Sequence, residues 1–208
     1  MSDIYSMPRS DMKSAVGVFL TDDVGSGSGS LDRATKILAG FPHGAEKAIG
    51  SAIKRAATSG EAYAARAVGK HYYIKSGDFK QYTSSKRHIY TSGGETTAEI
   101  EFRGRHIPLL KFNTKVGSDG RVSAKVKRSS SGDILSHVFR QHVGNQHIGI
   151  FERVGESRLP IEEKYGPSTP QMMSANDDLS QEIGDKVRGT FDNRIEHEIL
   201  AVLNGWRN

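Results

Sequence analysis

The 208-residue chain contains no cysteine. That excludes a disulfide framework, a thiolate zinc site and a cysteine nucleophile. No apolar run approaches the roughly 18–20 residues that a membrane-spanning helix needs. The best N-terminal run, Ala15 to Leu20, is too short even for the core of a secretory leader, and acidic Asp11 precedes it. A soluble chain that is not exported by the general route is the expectation. Aromatic residues are scarce at 8%, with a single tryptophan, so a sheet that stacks rings against bare nucleobases is not expected. Hydrophobic residues make up only 36%. Such polarity implies that part of the chain buries its surface only against neighbours.

Catalytic signatures are equally sparse. The run Gly25-Ser26-Gly27-Ser28-Gly29-Ser30 lacks the Lys-Ser/Thr pair of a phosphate loop and reads as a flexible linker. No Gly-x-Ser-x-Gly elbow follows a strand and opens a helix. His137, His142 and His147 recur every five residues, an odd interval that sends alternate side chains of a strand to opposite faces. His197-Glu198 begins a zinc-protease pattern, but Ala201 stands where the second histidine belongs. Glu152, Glu156, Glu162 and Glu163 lie in a polar stretch that reads as solvated. No catalytic residue, metal or other cofactor is expected, and the chain reads as a structural protein and not an enzyme.

What the chain does have is an uneven charge. Residues 1–69 carry 8 basic and 7 acidic side chains, and residues 70–128 carry 13 and 5. Residues 129–173 carry 4 and 5, and residues 174–208 carry 4 and 7. The basic excess therefore sits in the middle third. It suits a phosphate backbone or an acidic protein surface, and equally a solvated face.

Periodicity organises the rest. Residues 1–30 read as a flexible N-terminal arm with the Gly/Ser linker, and 31–208 as one domain. Ala45, Ala48, Ile49, Ala52, Ile53 and Ala56 follow helical spacing and predict an alanine-rich helix. Thr58 and Glu61 suggest a capping box that restarts it after a kink at Ser59-Gly60. From residue 73 to 155 the period changes to two. Ala98, Ile100 and Phe102 alternate with charge, as do Val122, Ala124 and Val126, and a hairpin turns at Gly144-Asn145. Pro160, Pro167 and Pro170 predict an extended segment over 158–173. Leu179, Ile183, Val187, Phe191, Ile195, Ile199 and Leu203 then recur every fourth residue, predicting a long C-terminal amphipathic helix between Asn176 and Gly205. The fold class expected is α+β, with an antiparallel sheet flanked by the two helices.

The stretch from Gly132 to Trp206 resembles the prophage minor tail protein Z family, the lambda-type tail-completion proteins. The match is carried by HVFRQHVGNQHIGIFERVGESRLPIEEKYGPSTPQMM, His137 to Met173, and by RIEHEILAVLNG, Arg194 to Gly205. Within it Phe151-x-Arg153 precedes Arg158-Leu-Pro-Ile161 and Tyr165-Gly-Pro-Ser168. IPLLKF (Ile107 to Phe112) resembles the family's central strand and AIKRAATSG (Ala52 to Gly60) its N-terminal helix.

The resemblance implies a structural virion protein of a tailed bacteriophage, assembled in the host cytoplasm and resident in the tail or neck. It implies a ring of copies, hexameric by expectation, around the DNA channel at the head–tail joint. Tail-terminator and head–tail connector proteins are the implied partners, with packaged double-stranded DNA held through non-specific contacts. A channel wall must let a duplex slide, so mild basicity without base reading is expected. Arg103, Arg105, Lys125, Lys127 and Arg128 are the candidates for that wall. Arg158, Pro160, Ile161, Tyr165 and Pro167 are the candidates for a subunit interface, because a proline-stiffened segment binds at low entropy cost. The alternative is a non-virion DNA-binding protein acting through residues 70–128.

Overall fold

The computed structural model describes residues 13–20, 29–92, 95–144 and 147–206. Helices and antiparallel sheets make it an α+β fold with a long C-terminal helix. Where the sequence treats 31–208 as one domain, the chain forms two compact units, each built from separate stretches. The described residues of Met1–Ala15, Ala65–Ser84 and Arg103–Asn176 form the first. Those of Val16–Ala64, Ser85–Phe102 and Asp177–Asn208 form the second.

Three helices dominate the second unit. Helix α1 is Ser30–Ile37 and α2 is Gly44–His71, with α2 belonging to this unit as far as Ala64. Phe41 and Pro42 separate them, since proline cannot donate into a preceding turn. Ala48, Ile49, Ala52, Ile53 and Ala56 are all buried, as their spacing requires. The expected restart is absent. Thr58 Oγ1 donates to the Lys54 carbonyl at 3.0 Å instead of capping a new helix, and α2 continues unbroken through Ser59-Gly60. Gly60 serves close packing: a Cβ there would sit 2.6 Å from Val187 Cγ2 and 3.2 Å from the Phe102 ring.

Val187 belongs to α5, Asp177–Leu203, about 40 Å long at 1.5 Å per residue. Asp177 and Asp178 occupy its first turn, where the helix dipole favours them. The predicted stripe from Leu179 to Ile199 is buried, and only Leu203 at its end is exposed. Gly205 adopts a positive φ of 68°, and the Trp206 N–H donates back to the Ala201 carbonyl. That geometry closes a helix C-terminus and favours glycine.

The arm reading needs correction over Lys13–Leu20, which forms strand β1. It pairs within a four-stranded sheet whose long member is β3, Glu95–Pro108, and which also holds β2, Thr83–Ser92. Val16, Val18 and Leu20 alternate towards the protein, with Leu20 buried. The run was short enough to pass for an arm, but its period of two suits an edge strand. Residues 1–12 and most of the Gly/Ser linker lie outside the described residues.

The first unit carries shorter strands. They separate into further sheets where one sheet over 73–155 was expected. Strands β4 (Asn113–Val116), β5 (Val122–Lys125) and β6 (Asp133–Leu135) form one, with Asn113 opposite Lys125. Strands β7 (Val138–Val143), β8 (His147–Arg153) and β9 (Ile161–Glu163) form another. The predicted hairpin has Val143 opposite His147. The proline segment is only partly extended. Strand β10, Tyr165–Ser168, pairs with the end of β3, and then Thr169–Met173 forms helix α4. Ser168 and Gln171 make a reciprocal capping box, and proline is tolerated in a first helical turn. Helix α3, Ser76–Gln81, has Lys75 at its N-cap position with no side-chain cap, and the Ser76 hydroxyl donates to the Ala65 carbonyl.

Candidate DNA-facing surface

The basic candidates fall into two groups. In the first, β5 and the residues after it alternate strictly. Val122, Ala124 and Val126 are buried, which turns Lys125 and Lys127 outward. The chain at 71–73 runs antiparallel to 126–128. The Tyr73 N–H donates to the Val126 carbonyl at 2.8 Å, and the Arg128 N–H to the His71 carbonyl at 2.8 Å. This pairing brings Tyr73 between two cations. The Arg128 guanidinium lies 4.5 Å from the ring centroid and the Lys125 ammonium 5.4 Å. Both distances are within reach of cation–π attraction, worth about 0.5–1 kcal/mol at exposed sites. Arg128 Nε also donates to the Gly69 carbonyl at 2.9 Å, which fixes the guanidinium plane.

Among the described residues, Lys125, Lys127 and Arg128 take part in no ion pair, unlike Lys111, which pairs with Asp78, or Lys164, which pairs with Glu152. Their charge is therefore uncompensated locally. The arrangement attracts a polyanion, and the Gly69 carbonyl already takes one of the Arg128 guanidinium donors. The ring of Tyr73 is already engaged by its two cations.

Arg103 and Arg105 form the second group, two residues apart on one face of β3. Arg105 is exposed and Arg103 half-buried. The ring of Tyr73 gathers Lys125 and Arg128.

The interface candidates divide as well. Arg158 and Pro160 are exposed in the bend after β8. Ile161, Tyr165 and Pro167 are half-buried within paired strands, and the Tyr165 hydroxyl donates to Glu163 at 2.8 Å. Only the bend offers a free edge, while the strand residues serve their own sheets.

A cleft that the sequence did not announce lies in the same unit. It has a volume of about 560 Å³. Apolar Pro108, Leu110, Phe112 and Ile148 line it together with polar Lys75, Asp78, Tyr82, Lys111 and His147. The hydrogen bond that the Lys111 ammonium donates to Asp78, 2.8 Å away, holds its pKa above the ordinary value, so that lysine stays cationic. His147 Nε2 is 3.0 Å from Glu163 Oε1, and Tyr165 bonds the other carboxylate oxygen. The three evenly spaced histidines do not converge: His137 sits in a turn, His142 on β7 and His147 at the start of β8. Among the described residues, no group of three or more histidine or carboxylate side chains gathers as a metal site.

Comparison with protein-family models, with curated proteins and with solved structures finds no match to this chain.

Proposed function

We propose that this chain is a structural subunit of a tailed-phage virion. It completes the tail as a ring of copies at the head–tail joint, with DNA in the channel facing Lys125, Lys127 and Arg128. Tail-terminator and connector proteins are its neighbours, and no reaction is assigned to it. The observation that carries this reading is the unpaired cationic edge around Tyr73. It offers positive charge to a phosphate backbone, which a sliding duplex presents at every step. The resemblance over Gly132 to Trp206 supports the setting.

The test is to change Lys125, Lys127 and Arg128 together to glutamine. Tail assembly should survive, while head joining or DNA retention weakens, with the deficit against wild type largest at low salt and shrinking as salt screens the removed charges. In solution, any duplex binding by the assembled ring should lose up to roughly three from its salt slope for each copy that faces the duplex, about one per phosphate contact removed. Normal joining and ejection by the triple variant at every salt concentration would reduce these cations to a solvated face. Tight, steeply salt-dependent duplex binding by the isolated monomer would favour a DNA-binding protein with no virion role.

A further inference from the structure

The outer face of the β4–β5–β6 sheet continues the cationic edge around Tyr73. Residues directly opposite each other in an antiparallel pair point to the same side of the sheet. Val122 and Ala124 are buried, which leaves Ser123 and Lys125 on the outer side. Register then places Asn113 and Lys115 of β4 and Ile134 of β6 on that side with them. Asp133, the acid of the three strands, lies opposite Ala124 and so belongs to the inner side. The outer positions therefore hold two lysines, an amide, a hydroxyl and one apolar side chain, with no carboxylate among them.

Lys115 is exposed, and Asn113 and Ser123 are half-buried. Among the described residues, the side chains of these three make no hydrogen bond or ion pair, so their donors are not spent on the protein. Ser123 stands opposite Lys115 and Asn113 opposite Lys125. The two lysines are thus diagonal neighbours, roughly 7–8 Å apart at the backbone, with the hydroxyl and the amide between them. Two cations flanking two neutral donors suit a ligand that is anionic and offers only acceptors, which describes a phosphodiester. Lys125 ties this face to the edge. Its stem lies along Gly132, where a Cβ would be 3.5 Å from the Lys125 Cβ and 3.8 Å from its Cδ. Its ammonium is 5.4 Å from the centre of the Tyr73 ring, whose other cation is Arg128. The row of positive charge from Lys115 through Lys125 to Arg128 is one surface, and a repeating polyanion matches a row of cations better than a single headgroup does.

We infer that the phosphate backbone of a duplex crosses the outer face of this sheet, with one phosphate at Lys115 and Ser123 and a neighbouring one at Lys125 and Asn113, before it reaches Lys127 and Arg128. The inference rests on the DNA-facing reading above and adds Lys115, Ser123 and Asn113 to its contacts. It does not depend on the phage setting.

The test measures binding of the purified full chain to duplexes of two unrelated sequences across a salt series. Lys115→Gln should weaken binding by roughly three- to tenfold at about 0.1 M salt and lower the salt slope by about one for each copy on the duplex. The loss should be equal for both sequences, because a phosphate contact carries no sequence information. Ser123→Ala removes a neutral donor, so it should weaken binding and leave the slope unchanged. Ile134→Lys, at a residue 66% exposed on the same face, should strengthen binding and steepen the slope, a gain that no folding defect imitates. Lys80→Gln, at an exposed lysine of α3, should change neither. An equal loss from Lys80→Gln would reduce the effect to net charge and overturn the inference. A loss that differs between the two sequences would make Lys115 a base contact and overturn it too. If the variant lacking Lys125, Lys127 and Arg128 loses affinity while Lys115→Gln and Ile134→Lys bind like the wild type, the sheet face is wrong and the edge reading stands. A wild-type chain that binds neither duplex at any salt overturns both. Binding to vesicles of phosphatidylserine and phosphatidylcholine without duplex binding would make the surface a lipid contact, with the same consequence.

Discussion

Phe191→Ala is expected to lower stability by about 3–5 kcal/mol. Phe191 is fully buried in the middle of α5, on the same stripe as Val187 and Ile195, which are also buried. Removing the ring forfeits its transfer free energy and leaves a cavity that α2 and α5 cannot close. Helix α2 has no side chain at Gly60 to move in, and Thr190 beside the site is tied to Ser59 at 3.3 Å. For a chain of this size each kcal/mol lowers Tm by about 2–4 °C, so the loss should be on the order of 10 °C. Thermal unfolding followed by circular dichroism measures it. Asn193→Ala, two residues on and exposed, is the control and should change stability by less than about 0.5 kcal/mol. Equal melting of the two variants would mean that α5 does not close this core.

Gly104→Ala should be nearly as damaging, for the opposite reason. A Cβ at position 104 would collide with Thr169 Oγ1 and lie 2.6 Å from Pro170 Cδ and 3.1 Å from the Tyr82 carbonyl. A proline ring and a backbone oxygen cannot swing aside, and Thr169 is held by its own position at the start of α4. Either β3 bends or α4 shifts, at a cost near the upper end of the ~1–3 kcal/mol usual for overpacking. Glycine inside a strand often marks such a close approach. Gly189→Ala supplies the contrast. It lies on the exposed side of α5 with no atom within 4 Å of the new Cβ, so helix propensity alone should act and stabilise by up to ~1 kcal/mol. Urea unfolding of both variants should give shifts of opposite sign. Shifts of the same sign would refute the packing argument.

The elements legible in the sequence are those whose cause is local. The stripe from Leu179 to Ile199 needs only its own spacing, and so do the alternations at Ala98–Phe102 and Val122–Val126. The hairpin turn at Gly144 is likewise local. Errors begin where a distant partner decides. Val16, Val18 and Leu20 look like part of an arm until β3 is there to receive them. Thr58 and Glu61 form a good capping signature, but continuity is favoured once Gly60 lets Val187 and Phe102 approach. Pro170 breaks an extended reading only because Ser168 and Gln171 cap a helix around it. How strands divide among sheets depends on partners far along the chain, which no period records.

The candidate surface follows the same division. Alternation alone puts Lys125 and Lys127 on the outward side. It says nothing about Tyr73, more than fifty positions earlier, which gathers Arg128 and Lys125 around one ring. The cleft likewise draws on α3, the turn at Leu109–Lys111 and the start of β8. Lys111 and Asp78 carry no sequence signature of their pairing because they come together only in the fold.

The order of synthesis adds a constraint. The chain passes between its two units at Ala15/Val16, Ala64/Ala65, Ser84/Ser85, Phe102/Arg103 and Asn176/Asp177, and four of these passages fall inside β1, α2, β2 and β3. Neither unit is therefore finished before translation is nearly over. The face of α2 that receives Val187 must wait for α5, which follows every other element. At ~5–20 residues per second, that interval is on the order of 10 s. Throughout it Ala48, Ile49, Ala52 and Ile53 lack their final cover on a nascent chain. Refolding from denaturant, where the same surface is exposed to other chains, is expected to give its best yield at high dilution.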